Sequence, residues 1–179
     1  MATVSDEQIK QGLPPVAPAD ARLFILGSLP GDASLGARRY YAHPQNHFWR
    51  LVGDAIGEDL AGLGYEARLE RLSERRIGLW DVIASARRTG SLDQAIRGAG
   101  HNPLADFFAG FAALEAVAFN GATAAGIGRR LLVESGLTLI DLPSSSPANT
   151  RPFAQKAEAW RALRRFVGSG LPPPHIESQ

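Results

Sequence analysis

Residues 22–31 read Arg22-Leu23-Phe24-Ile25-Leu26-Gly27-Ser28-Leu29-Pro30-Gly31. The apolar run 22–26 is short and is stopped by small residues and a proline, the pattern of a buried strand. Three further runs repeat it. Residues 77–79 lead into Trp80-Asp81, residues 116–119 into Asn120-Gly121, and residues 137–142 into Pro143-Ser144-Ser145-Ser146-Pro147-Ala148-Asn149. The stretches between them are long enough for helices. Residues 46–56 space Phe48, Trp49, Val52, Ala55 and Ile56 as a helix does, with Asn46 as the expected N-cap. Residues 65–75 read as an amphipathic helix laced with charge. Residues 122–133 read as a helix packed by Ile127, Leu131 and Leu132, and residues 152–167 as one that turns Phe153, Ala157, Trp160 and Leu163 inward. A helix over 102–111 carries Pro103 in its first turn. Ser91 with an acid close behind it reads as a helix start over 91–96. Strands separated by helices predict a parallel sheet covered on both faces. Ligands of such sheets bind outside the carboxyl ends of the strands, so four polar ends on one edge predict a single composite site.

The 179 residues suit one domain with a sizeable core. Residues 1–21 read as a loose N-terminal arm broken by Pro14, Pro15 and Pro18, residues 22–168 as the folded domain, and residues 169–179 as a C-terminal tail. The chain has no cysteine, which excludes disulfides, iron–sulfur clusters and thiolate zinc sites. No apolar run approaches membrane-spanning length and the first residues lack a signal-peptide core, so a cytoplasmic protein without membrane attachment is expected. A monomer is expected as well. The net charge of +1 does not mark a strongly basic nucleic-acid binder. The basic residues are nonetheless almost all Arg, the side chain that grips phosphate bidentately.

Common nucleotide motifs are missing. There is no Gly-x-x-x-x-Gly-Lys loop, and Gly121, Gly126 and Gly128 do not fit Gly-x-Gly-x-x-Gly. Ser28 lies in Gly-Ser-Leu-Pro-Gly, not in a Gly-x-Ser-x-Gly elbow. His43 and His47 are four apart, but Pro44 separates them and no carboxylate is close in sequence. They read as ordinary loop histidines, and no metal site is expected.

Four segments taken in order resemble the uracil-DNA glycosylase superfamily. They are Gly27 to Gly31, Tyr40-Tyr41-Ala42-His43-Pro44-Gln45-Asn46-His47-Phe48-Trp49, Gly78-Leu79-Trp80-Asp81, and Pro143 to Asn149. The nearest branch is the one that removes hypoxanthine from DNA. The likeness spans residues 22 to about 167. It implies a three-layer α/β/α fold on a four-stranded, mostly parallel sheet. It also implies monofunctional hydrolysis of an N-glycosidic bond in DNA carrying a deaminated base, hypoxanthine first and uracil next, without a cofactor. By the same resemblance, Gly27 and Ser28 lie beside the flipped nucleotide and Tyr41 stacks on the base. Trp80 and Asp81 end a strand that in many relatives carries a base-reading Asn. The loop of Ser144, Ser145, Ser146, Pro147 and Asn149 enters the minor groove. Many relatives place a water-handling Asp or Asn at the third position of the first motif, where this chain has Leu29. The deoxyinosine branch shares that lack and is thought to use a separate Asn, which here is Asn46.

The residues agree with those roles on their own chemistry. An Asn can orient water, and glycosidic cleavage passes through an oxocarbenium-like state with much of the bond already broken. Deamination turns an exocyclic amine into a carbonyl and the neighbouring ring nitrogen into an N–H. Asn120 offers an acceptor and a donor to that edge, and an ionised Asp81 offers acceptors. Ser hydroxyls and backbone N–H groups bind phosphate without net positive charge, and Arg151 follows the serine loop where it adds a phosphate contact. Arg87 and Arg88 are placed to meet the DNA backbone, while Arg164 and Arg165 read as a solvated helix face. Two other readings use the same sheet edge: a nucleoside or nucleotide hydrolase, and a catalytically inactive module that binds damaged DNA.

Overall fold

In a computed structural model, residues 8–167 are described. The expected tail, 169–179, and the first seven residues of the expected arm lie outside them. The four anticipated strands form β2 (Leu23–Gly27), β3 (Ile77–Asp81), β6 (Ala116–Asn120) and β7 (Thr138–Leu142). Their order is β3-β2-β6-β7 and every pairing is parallel. β2, β3 and β6 are buried along their whole length, as the uninterrupted apolar runs require.

Alternation along the strands divides the core in two. Leu23, Ile25, Ile77, Leu79, Ala116 and Ala118 face one way. They pack against α2 (Phe48–Ile56), α3 (Tyr65–Glu74) and α6 (Phe153–Trp160), with Phe48, Trp49, Leu72 and Trp160 at the contact. Phe24, Leu26, Val117 and Phe119 face the other way, onto α4 (Leu104–Phe108) and α5 (Ala122–Leu131). The result is the expected three-layer α/β/α arrangement.

The structure departs from the sequence reading at several places. Residues 8–21 do not form a loose arm. β1 (Ile9–Gln11) pairs antiparallel with β4 (Ile83–Arg87), and Val16 bridges to Leu79. β4 also pairs with β5 (Arg97–His101), giving a second sheet of order β1-β4-β5. The helix expected over 91–96 is a single 3₁₀ turn, Asp93–Ala95, that leads into β5. A short helix that the sequence pattern does not signal, α1 (Asp32–Ala37), follows Pro30. The last helix ends at Trp160 and continues as a 3₁₀ segment, Arg161–Phe166. Arg164 is not simply solvated: its Nε donates to the Ala55 carbonyl at 3.0 Å, at the carbonyl end of α2 where a cation is favoured.

The central strands meet closely. Gly78 pairs with Phe24, and a Cβ at 78 would overlap the Phe24 ring. That ring cannot swing aside, because Phe107, Phe108 and Phe111 surround it with centroids 5.8, 4.9 and 5.1 Å away. Gly78→Ala is expected to destabilise the protein by about 1–3 kcal/mol through overpacking. Urea denaturation reads this as a lower midpoint at unchanged slope, and an unshifted midpoint would show slack in the phenylalanine cluster.

Candidate active site

Register places the functional strand ends level with one another. Gly27 is opposite Asp81, Leu26 is opposite Phe119, and Asn120 is opposite Leu142. A cavity of about 290 Å³ opens beyond these ends. Gly27, Ser28, Tyr41, Asn46, Asp81, Asn120, Ser144, Ser145, Ser146 and Asn149 all line it, so residues far apart in the chain do converge. Pro147 and Arg151 face an adjoining hollow instead, which Asn46 and Asn149 share with the main cavity.

Trp80 is a correction. Strand alternation puts Asp81 on the cavity side and Trp80 on the opposite face. The Trp80 ring is buried in the core and tilted against Phe107, with centroids 4.4 Å apart. Its role is packing rather than holding a base.

Asn46 differs from expectation by one position. His47, not Asn46, is the residue at the N-cap of α2, yet Asn46 Oδ1 accepts the Phe48 N–H at 2.9 Å. A carbonyl oxygen has a second lone pair, and the Asn46 amide N–H groups remain available on the cavity wall. His43 and His47 have structural duties. His43 Nδ1 accepts the Gln45 N–H, and the His47 ring meets Phe153 edge-on. Among the described residues no group of three or more His, Cys, Asp or Glu could hold a metal ion.

Tyr41 adopts a left-handed backbone, φ 53°, unusual for a bulky residue and costing on the order of 1–3 kcal/mol. Its surroundings enforce that conformation. Its carbonyl accepts the Trp49 indole N–H at 3.2 Å, and the next N–H, of Ala42, donates to Ser34 Oγ at 3.1 Å. The ring stacks on Phe48 with centroids 3.7 Å apart and planes 10° off parallel. Tyr40 is a tether: its hydroxyl donates to the Pro14 carbonyl at 2.7 Å.

Asn120 is committed to the serine loop. Its Oδ1 accepts the Ser145 N–H at 2.9 Å, and its Nδ2 donates to Ser145 Oγ at 2.9 Å and to the Tyr41 hydroxyl at 3.3 Å. The loop is held from three other directions as well. The His47 N–H donates to the Ser145 carbonyl, buried Lys156 to the Ser146 carbonyl, and the Trp160 indole to the Pro143 carbonyl.

Asp81 is the electrostatic centre of the cavity. It is 3% exposed, and its Oδ2 has no hydrogen-bond partner. Burial first, and the charge of Asp93 second, push its carboxyl up to about 7 against a partial opposing effect of Arg88. Burial and the charge of Asp81 likewise raise the Tyr41 hydroxyl. Gly27 allows this crowding, because a Cβ there would stand 2.7 Å from Asp81 Oδ1 and 3.1 Å from the Tyr41 hydroxyl.

The sequence reading overlooked the segment from Ser91 to Gln94, which also lines the cavity. Asp93 accepts a 2.7 Å hydrogen bond from Ser28 Oγ. It misplaced Arg88, which is 2% exposed and no DNA-facing cation. The guanidinium donates to the carbonyls of Leu29, Pro30 and Gly90, fixing the loop after β2.

Comparison with known proteins matches the model of the uracil DNA glycosylase superfamily over residues 14–164. A hypoxanthine DNA glycosylase of Methanosarcina barkeri is 41% identical over 151 residues, covering 84% of this chain and 95% of the relative. A hypoxanthine DNA glycosylase of Methanosarcina acetivorans is 41% identical over 157 residues, covering 88% and 99%. The solution NMR structure of a provisionally assigned uracil DNA glycosylase from Methanosarcina acetivorans superposes with a TM-score of 0.81 at 40% identity, over 89% of this chain and 99% of that one.

The raised Asp81 carboxyl makes stability depend on pH. Its proton is held more tightly in the folded chain than in the unfolded one. The native state therefore loses relative stability as pH rises from about 4 to about 7, by an amount on the order of 4 kcal/mol at most. Asp81→Asn removes that dependence. Urea unfolding should find the variant more stable relative to wild type at pH 8 than at pH 4. A difference of the opposite sign would mean that the ionised carboxylate is stabilised by its neighbours.

Proposed function

The chain belongs to the uracil DNA glycosylase superfamily, and from that premise we propose that it hydrolyses the N-glycosidic bond of a deaminated base in DNA after turning the nucleotide out of the helix. Hypoxanthine is the preferred base and uracil the second. The observation that carries this reading is the shared cavity at the carboxyl ends of the sheet, walled by Asn46, Asp81, Tyr41 and the serine loop. The names of the two curated relatives support the choice of base.

In this reading each group has its own work. Tyr41, backed by Phe48, offers a preformed aromatic surface on which an everted base stacks, worth about 1–3 kcal/mol per base. Asp81 reads the deaminated edge. Near neutral pH its carboxyl exists in both protonation states. Ionised, it accepts the ring N–H. Neutral, it accepts that N–H and donates to the adjacent carbonyl, as an Asn amide would. Left unpaired in a dry cavity, the same carboxyl costs about 1–3 kcal/mol, a source of discrimination. Asn120 was expected to read the base. Its bonds to Ser145 and Tyr41 support a positioning role instead, holding the loop and the stacking ring in place.

Asn46 holds the attacking water. The bond from C1′ to the base nitrogen breaks first, and its electron pair leaves with the base. The water oxygen then bonds to C1′, and its released proton passes to solvent or to the departing base. The products are the free base and an abasic deoxyribose. Ser144 and Ser146 in the loop, with Arg151 beside it, hold the lesion strand through its phosphates.

Oligonucleotides carrying hypoxanthine, uracil or xanthine, incubated with the protein and then treated with alkali, report base release as strand nicks. Release from hypoxanthine is expected to be fastest. Asn46→Ala should lower that rate by roughly a hundredfold or more while the fold survives. Wild-type turnover in the variant would remove Asn46 from the reaction.

A further inference from the structure

The hollow that adjoins the cavity is walled by basic side chains and by no acidic one. Arg50 of α2, His47 at the N-cap of α2 and Arg151 ahead of α6 line it, and no Asp or Glu does. Lys156 of α6 is fully buried and near enough for its charge to be felt there. Burial first, then the charges of Lys156 and Arg50, push the His47 imidazole below its ordinary value. Burial first, and then Arg151, do the same to the Lys156 ammonium. Basic groups from two helices and from the end of the serine loop thus share one electropositive field.

That field has no counter-charge within the protein. The ion pairs among the described residues all use other cations; Arg50, Arg151 and Lys156 have no carboxylate partner. Asp54, one turn along α2 from Arg50, is taken by Arg161 at 3.1 Å. Lys156 donates only to the Ser146 carbonyl, at 3.3 Å. A buried charge without an opposite charge is costly, so folding alone does not favour this grouping. Arg50 is nevertheless held ready. Its guanidinium lies over the Phe153 ring, 4.2 Å from the centroid, and donates to no group among the described residues. Its planar fork of donors is thereby oriented but unused, and that fork matches a phosphate. His47 Nδ1, also buried, has no partner either.

We propose that this hollow is a subsite for a further phosphate of the lesion strand, with Arg50 and Arg151 as the contacting cations. The inference rests on the glycosylase reading, which places Arg151 beside the serine loop, and extends the grip from that loop to α2. Asn46 and Asn149 line both the cavity and the hollow, so the two are neighbours along any strand that enters. One DNA strand carries a charge for about every 3.4 Å of helix axis, and a strand whose base fills the cavity therefore brings another phosphate past that shared wall. The phosphate supplies the negative charge that Arg50, Arg151 and Lys156 lack.

The test measures binding of a duplex carrying 2′-fluoro-deoxyinosine, whose fluorine slows bond cleavage by disfavouring the oxocarbenium-like state. Each lesion-strand phosphate near that nucleotide is replaced in turn by a neutral methylphosphonate, and wild type is compared with Arg50→Gln. The substitution is at an exposed position, so the fold is expected to survive. Arg50→Gln should bind the unmodified duplex roughly tenfold more weakly, with a salt slope smaller by about 1. At one or two positions the methylphosphonate should cost wild type about tenfold and Arg50→Gln less than about twofold. Equal losses in the two proteins at every position, or an unchanged salt slope, would overturn the subsite. Displacement of the duplex by millimolar inorganic phosphate at constant ionic strength, without position-specific coupling, would make the hollow a site for the free ion and overturn the strand assignment. Base release by wild type from ordinary deoxyinosine checks the glycosylase reading separately: release without coupling removes only the subsite, and coupling without release removes only the glycosylase reading.

Discussion

The site depends on one buried amide. Asn120 ends β6, and its side chain carries hydrogen bonding beyond the sheet to the serine loop. It binds both the N–H and the hydroxyl of Ser145, a residue only 1% exposed, and reaches the Tyr41 hydroxyl with a remaining N–H. Ser145 in turn accepts the His47 N–H at the start of α2. Two segments far apart in the chain, residues 41–47 and the serine loop, are thereby fixed to the end of a central strand. Each of these buried polar groups would cost about 1–3 kcal/mol if left unpaired, so the arrangement is held as a unit or not at all. The Tyr41 ring, the start of α2 beside Asn46, and the serine loop all take their positions from it.

Against that rigid frame the cavity carries a deliberate mismatch. Asp81 is a buried carboxyl with an unpartnered oxygen, an acidic neighbour in Asp93, and a nearby Arg88 whose guanidinium is committed to backbone carbonyls. Nothing about folding favours that placement. On the proposed reading of the site, it is stability given up for a polar group that a complementary base edge would satisfy. The strained backbone of Tyr41 belongs to the same class of feature, since its cost is met by contacts from Trp49, Phe48 and Ser34.

What the sequence disclosed follows from which signals are local. The four parallel strands were legible because each is a dense apolar run stopped by small or polar residues, and their ends named most of the cavity wall. The minor sheet was not. β4 reads Ile83-Ala84-Ser85-Ala86-Arg87 and β5 reads Arg97-Gly98-Ala99-Gly100-His101, sequences of small residues with weak strand preference that pair only with each other and with β1. Asn120 looked like a base reader because its partner lies 25 residues away and cannot be seen locally. Arg88 looked like a surface cation because Arg is rarely buried, and the carbonyls that hold it belong to a loop 58 or 59 residues earlier. Trp80 was drawn into the site by its neighbour, although the strand's period of two sends it to the opposite face.

The central claim is that a single everted base sits between Tyr41 and Asp81, within reach of a water on Asn46. A crystal structure of the Asn46→Ala protein bound to a hypoxanthine-containing duplex tests it most directly. The account predicts the base inside the cavity, its face on the Tyr41 ring and its ring N–H on the Asp81 carboxyl. A hypoxanthine still stacked in the helix, or an everted base lodged away from these two side chains, would contradict it.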